Sequence, residues 1–295
     1  MPGIKEINIS KLSYFILLIT LSVSCQKNEN LNLIKISSLP NAIHEISGIV
    51  MLSDNKLYAI NDSGNAPILF RLNQKGEILS EINVPNAKNK DWEDLAYDLE
   101  DNIYIGDFGN NNNDRKDLKI YKVSGILSDT IVVSKIKFAF EDQKKFPPKK
   151  KNFNFDVEAF IHFNGNLYLF TKNRAKESIK TTKIYKIPAT PGKHIAKLIG
   201  RYETCKDPSD CLVTGASINK SQNKIALLTH NKIFLFHKFK GDHILEGDVT
   251  KIKLGHTSQK ESICFKNDST FFIADEKTRH KKAKLYEFKL PPIAH

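Results

Sequence analysis

Residues 92–123, WEDLAYDLEDNIYIGDFGNNNNDRKDLKIYKV, contain three short runs in which apolar and polar residues alternate: WEDLAYD, NIYIGD and LKIYKV. Alternation with a period of two belongs to strands that turn one face to a core, and the Asp, Asn and Gly between the runs are turn formers. The stretch therefore predicts a strand meander rather than helix.

The same order recurs along the chain. HEISGIV at 44, WEDLAYD at 92, VEAFIHF at 157, VTGASIN at 213 and KESICFK at 260 each open a unit. A second run follows each one: NKLYAINDSGN, DNIYIGDFGNN, GNLYLFTKNR, NKIALLTHN and STFFIADEK. Third runs are ILFRL, LKIYKV, KIYKI, IFLFHK and KLYEFKL, and a less regular fourth appears as ILSEINV, IVVSKIKFAF, AKLIGRYE and TKIKLG. Repeats of about 50 residues built from four short strands predict an all-β fold, a β-propeller of four-stranded blades. The units predict five blades, with six as the alternative if a degenerate blade hides in the longer second and third repeats. The fifth unit lacks a fourth strand before His295, and residues 31–39 (LNLIKISSL) can supply it. That strand would close the ring and remove exposed sheet edges.

Ahead of the repeats, Lys5 and Lys11 precede the apolar run LSYFILLITLSV at 12–23. The run is shorter than the ~20 residues a membrane-spanning helix needs and suits a signal-peptide core. Residues 22–25, SVSC, resemble a relaxed bacterial lipobox, although the usual leucine three places before the cysteine is absent. The resemblance implies lipidation of Cys25, residues 1–25 as the signal peptide, 26–32 as a tether and 33–295 as the propeller. It also implies an anchor to the outer membrane in the cell envelope, on its periplasmic or surface side, with no transmembrane domain. In that oxidising compartment Cys205 and Cys211, flanking KDPSD, can pair as a disulfide, while Cys264 in ESICF reads as a buried apolar residue. No histidine stands at zinc-ligand spacing from the pair.

The chain carries a formal net charge of +12. Its basic character is concentrated in KKFPPKKK at 144–151 and RHKKAK at 279–284. Such runs can meet phosphate-rich polymers or anionic surfaces. Solvated loops that keep the protein soluble are the preferred account, because no aromatic interleaving or nucleic-acid motif accompanies the runs, and nucleic acid is not an expected partner. G-x-S-x-G elbows, P-loops and dinucleotide fingerprints are also missing.

The ordered motifs ISGIV, NDSGN, DWEDLA, GDFGNNNNDR, DVEAF, TKNR, VTGA and ESI resemble secreted bacterial propellers related to the SdiA-regulated and esterase-like phytase families, and more distantly gluconolactonase-like and NHL propellers. The resemblance implies a propeller and often a bound calcium. It implies no single activity.

In a propeller blade the start of the innermost strand and the end of the second meet on one face. Glu45, Glu93, Glu158 and Glu261 stand at starts of first strands, and Asp62, Asp107 and Glu276 at or near ends of second strands. Ring closure predicts that these acids gather at one mouth of the channel, where their repulsion must be neutralised. Calcium is the preferred neutraliser, with Asn61, Asn65, Asn110 and Asn111 as further oxygen donors. The alternatives are pairing with Lys172, Arg174, Arg115 or His230, or backbone N–H bonds that leave nothing to bind. NDSGN lacks the spacing of an EF-hand loop, residues 110–113 read as a turn, and Trp92 reads as packing between blades rather than a stacking wall.

Two functions follow as expectations. One is a monomeric envelope module that binds a ligand or a protein, with calcium stiffening the channel mouth. The other is a calcium-dependent hydrolase of a phosphoester, lactone or ester, in which His230 would carry protons and Lys172 and Arg174 would hold the anion.

Overall fold

The computed structural model describes residues 33–128, 130–176, 178–205 and 212–291. The signal segment, Cys25, the tether and Cys211 lie outside the described residues. Apart from short 3-10 turns, the ordered elements are strands.

β1 (Leu33–Ser38) is followed by successive four-stranded antiparallel meanders. The first comprises β2 (Ile46–Met51), β3 (Leu57–Asn61), β4 (Ile68–Leu72) and β5 (Ile78–Asn83). The second comprises β6 (Trp92–Tyr97), β7 (Ile103–Asp107), β8 (Lys119–Ser124) and β9 (Val132–Phe140). Next come β10 (Val157–Phe163), β11 (Asn166–Thr171), β12 (Thr181–Pro188) and β13 (Gly192–Glu203), then β14 (Gly215–Ile218), β15 (Lys224–Leu228), β16 (Lys232–His237) and β17 (Asp248–Lys253). The last sheet is β18 (Lys260–Asn267), β19 (Thr270–Asp275) and β20 (Lys284–Lys289), completed at its edge by β1. The second and third meanders fuse into one eight-stranded sheet, because β9 and β13 pair in parallel.

The first strand of each meander packs beside the first strand of the next, and β18 returns to pack beside β2. Core clusters fill the wedges between neighbouring sheets. Phe108, Phe160 and Tyr185 lie between the second and third, and Leu235, Ile263 and Phe271 between the fourth and the last. This arrangement explains the burial patterns. β3, β7 and β19 are buried at every position because sheets cover both faces. The outermost strands β9 and β13 alternate over much of their length, with one side in water, and β5 is mostly exposed. Turns between first and second strands place Asn55, Asp101, Asn164 and Gln222 at positive φ, where Asn and Asp are best tolerated.

Candidate functional site

A single irregularity repeated around the ring builds the site. Pairing of first and second strands slips by one residue between Ile46 and Gly48, Trp92 and Asp94, Val157 and Ala159, and Lys260 and Ser262. Each slip is a β-bulge, which re-aims the extra residue's side chain. The extra residues are Ser47, Glu93, Glu158 and Glu261, and Thr214 stands in the corresponding place before β14. All five line one cavity of about 180 Å³ at the mouth of the ring.

This geometry changes the alignment expected from sequence. Glu45 does not match Glu93; Ser47 does. Glu45 lies two residues earlier, where its counterparts are Asp91, Asp156 and Gln259, as shown by the bonds from Asp62, Gly109, Lys172 and Glu276 N–H to the carbonyls of Glu45, Asp91, Asp156 and Gln259. The acids therefore form two tiers. Where the bulge residue is a hydroxyl, it stitches to the next sheet: Ser47 Oγ donates to the Trp92 carbonyl at 2.8 Å and Thr214 Oγ1 to that of Lys260 at 2.6 Å.

Six acids line the cavity, Glu45, Asp62, Glu93, Glu158, Glu261 and Glu276, together with Lys172 and Arg174. Asp107, expected among them, is elsewhere. It is fully buried beneath the strand end and held by Arg115 at 2.8 Å and Lys119 at 2.9 Å. Arg115 is thus spent on a structural ion pair, and Asp107 is withdrawn from the ligand set.

The cations are unevenly shared. Lys172 Nζ donates to Glu158 at 3.0 Å, and Arg174 donates to Asp156 at 2.6 Å and to Glu158 at 3.2 Å. Beside them Asp62, Asp91 and Glu93 each place a carboxylate oxygen within 4.8 Å of the others. Glu93 is 8% exposed. Among the described residues its carboxylate accepts no hydrogen bond and forms no ion pair. Gly109 makes room for this trio, since a Cβ there would collide with Glu93 Oε1 and the Asp91 carboxyl.

Proton affinities follow from this crowding. Burial, with the charges of Asp91, Glu158 and Glu261 behind it, pushes Asp62 up to about 6. Burial and then Glu261, Asp62 and Glu45 push Glu276 up to about 7. Glu93 is raised well above the usual carboxylate range by burial and by Glu158 and Asp62, and burial likewise raises Asp91. Burial depresses the Lys172 ammonium, but Glu158, Glu261 and Glu93 outweigh it and raise the group.

His230 lies 3.4 Å from Glu261, and its Nε2 makes no hydrogen bond. Glu45 accepts from Asn65 at 2.6 Å. Asn111 lines the cavity, while Asn61 and Asn110 bond to the Ala42 and Phe155 carbonyls. The asparagine tract is a tie between sheets rather than a plain turn: the Asp156 carboxylate accepts from Asn110 N–H at 2.7 Å, and Asn113 Oδ1 accepts from Phe155 N–H at 2.8 Å. Buried Asp94 ties three first strands together by accepting from the N–H groups of Leu95, Phe160 and Ala216. Trp92 is fully buried and donates to the Lys88 carbonyl. Cys205 is disulfide-bonded and Cys264 is a buried free thiol.

Sequence reasoning missed Asp91. A signal was present in D-x-E, which recurs as Asp91-Trp92-Glu93 and Asp156-Val157-Glu158. That spacing puts both carboxylates on one side of a bulged strand start.

No family model and no curated protein sequence matches this chain. Solved structures do. A PQQ-bound aldose sugar dehydrogenase from Streptomyces coelicolor superposes with a TM-score of 0.50 at 7% identity, over 87% of this chain and 97% of that one. A gluconolactonase from Xanthomonas campestris gives 0.45 at 13%, covering 83% of this chain and 72% of that one. A streptogramin B lyase gives 0.43 at 14%, covering 88% of each. At such identities the first likeness speaks for the fold alone: the chain is an all-β propeller.

Proposed function

We propose that the protein is a five-bladed propeller that binds a hard divalent cation, calcium, at the channel mouth and acts as a ligand- or protein-binding module of the cell envelope. Asp62, Asp91 and Glu93 would hold the ion. The observation that carries this reading is Glu93, a buried carboxylate without a partner, beside two others. Calcium takes six to eight oxygens, so three carboxylates leave positions for water or for a ligand's oxygens. Lys172 and Arg174 are taken up by Glu158 and Asp156, which leaves the trio without a cation of its own. Anchoring through a lipid on Cys25, and kinship with the SdiA-regulated and esterase-like phytase propellers, belong to the same proposal and are supported by the sequence motifs. Cys25→Ser is expected to release the protein from the membrane fraction.

Thermal unfolding of the full chain in EDTA and then in millimolar calcium tests the cation. A ligand at a hundred times its dissociation constant adds about 2.7 kcal/mol, a shift of a few degrees for a domain of this size. The rise is expected in the parent chain and absent in Glu93→Gln. A parent chain indifferent to calcium would overturn the reading.

One observation favours the second reading, a metal-dependent hydrolase of a phosphoester, lactone or ester. His230 Nε2, buried and free of hydrogen bonds, stands 3.4 Å from Glu261, which lines the cavity, and would exchange a proton through it. Calcium-dependent turnover that His230→Ala abolishes, with the calcium shift intact, would establish it. Turnover unchanged by His230→Ala would remove His230 from the chemistry.

A further inference from the structure

The basic run at 144–151 does not simply trail into solvent. It forms one side of a cavity of about 710 Å³ whose other side is β12 and β13. Lys144, Lys145, Lys149, Lys183 and Arg201 line it, against the single carboxylate of Asp142. That carboxylate is already engaged, by Lys183 Nζ at 2.7 Å and the Tyr185 hydroxyl at 2.8 Å. Lys144 donates to the Glu141 carbonyl at 2.6 Å. Lys145, Lys149 and Arg201 have no ion pair among the described residues.

The rest of the wall is polar and already ordered. Asn173 Nδ2 donates to the Ser178 carbonyl at 3.2 Å and to Thr181 Oγ1 at 3.1 Å, and Ser178 Oγ donates to Asn154 Oδ1. Lys183, 6% exposed, lies 4.3 Å over the Phe155 ring. Gln143 donates to the Asn113 carbonyl at 2.8 Å, which ties the basic loop to the asparagine tract.

We propose that this cavity is a second binding site, for a phosphate ester carried on a hydroxyl-rich body such as a sugar. A phosphate monoester carries nearly two charges on three oxygens, which several cations can share, and Arg201 can engage two of those oxygens at once. A bare phosphate would fill little of this volume, which lies in the range of organic ligand pockets. The Asn152 and Asn154 amides, and the remaining lone pairs of the Ser178 and Thr181 hydroxyls, supply donors and acceptors for hydroxyl groups. The phosphate ester can come free in solution or displayed on a polymer, and the chemistry recognised is the same.

Calorimetric titration of the full chain with glucose 6-phosphate, glucose, inorganic phosphate and a phosphorylated dextran tests the proposal. Glucose 6-phosphate is expected to bind saturably and at least ten-fold more tightly than glucose or inorganic phosphate. Binding of the dextran alone would support the polymer-borne form. The Lys149→Gln/Arg201→Gln double variant, altered only at exposed positions, is expected to melt like the parent and to bind at least ten-fold more weakly. Equal affinity for inorganic phosphate, no binding of either ester, or an unaffected double variant would overturn the site. So would binding lost in EDTA or in Glu93→Gln, because the ligand would then sit at the acidic cavity. Calcium binding there stands or falls independently.

Discussion

Asn173 and Arg174 are neighbours in the chain, yet they line different cavities of opposite charge. The acidic cavity is built by strand starts converging on the axis, so its charges are buried or half-buried and cannot move apart. The basic cavity is built by a loop and outer strands, and most of its cations extend into water. Surplus charge therefore means different things in the two places. Buried surplus costs folding free energy until protons, counter-ions or a metal relieve it. Exposed surplus costs little and acts on whatever approaches.

The sharpest way to test this difference is to remove a cation from each. Arg174 is the main counter-charge of Asp156, whose carboxylate is fully buried. Arg174→Ala leaves Asp156 with only the Asn110 N–H and Glu158 with only Lys172, and a buried acceptor deprived of a partner costs about 1–3 kcal/mol. Urea unfolding should show this loss. A loss under about 1 kcal/mol would mean that the acidic wall is already protonated or hydrated, and the comparison would lose its energetic basis.

Calcium and pH should act together at the acidic cavity. In the unfolded chain carboxyls titrate near 4. Asp62 and Glu276, pushed up to about 6 and about 7, keep the metal-free native state holding extra protons between those values. Their contribution to stability is thus fully present below pH ~4 and is lost as pH rises through 6 and 7. A cation bound to ionised carboxylates displaces protons from Asp62 and its neighbours and offsets this loss. The gain in melting temperature from calcium over EDTA is therefore expected to be larger at pH 7.5 than at pH 5. A gain equal at both would separate the ion from these acids.

A smaller effect has an unusual sign. Glu93→Gln removes a buried charge that Glu158 and Asp62 repel. In EDTA at pH 8 the variant is expected to be more stable than the parent, since the neutral amide escapes both the desolvation and the repulsion that disfavour the ionised carboxylate. In calcium the order should reverse. A variant less stable than the parent in both conditions would assign Glu93 a bonding role within the fold.

Much of this was legible in the sequence because strand alternation and turn residues report local geometry directly. The edge strand β1 could be matched to the last repeat for the same reason. The site was only partly legible, because a β-bulge is invisible to a repeat alignment. Anchoring on the glutamates equated Glu45 with Glu93; anchoring on the small residues Gly48, Ala159, Gly215 and Ser262 would have exposed Asp91 and Asp156. Asp107 stands at a strand end, as expected, but its side chain turns toward Arg115 and Lys119, a direction that depends on register rather than type. The basic cavity was beyond reach, since Lys183 and Arg201 join the 144–149 run only through the pairing of β12 with β13.

The smallest expected effect completes the contrast. Lys149 and Arg201 are exposed and without ion pairs among the described residues. Surface changes of this kind usually stay within about 0.5 kcal/mol. If exposed surplus charge is energetically idle, Lys149→Gln and Arg201→Gln should leave urea unfolding unchanged at low salt and high salt alike. If instead they stabilise the chain at low salt and the gain fades as salt screens the cavity, the cations repel one another in the free protein. The basic cavity would then resemble the acidic one, with strain that a bound anion relieves.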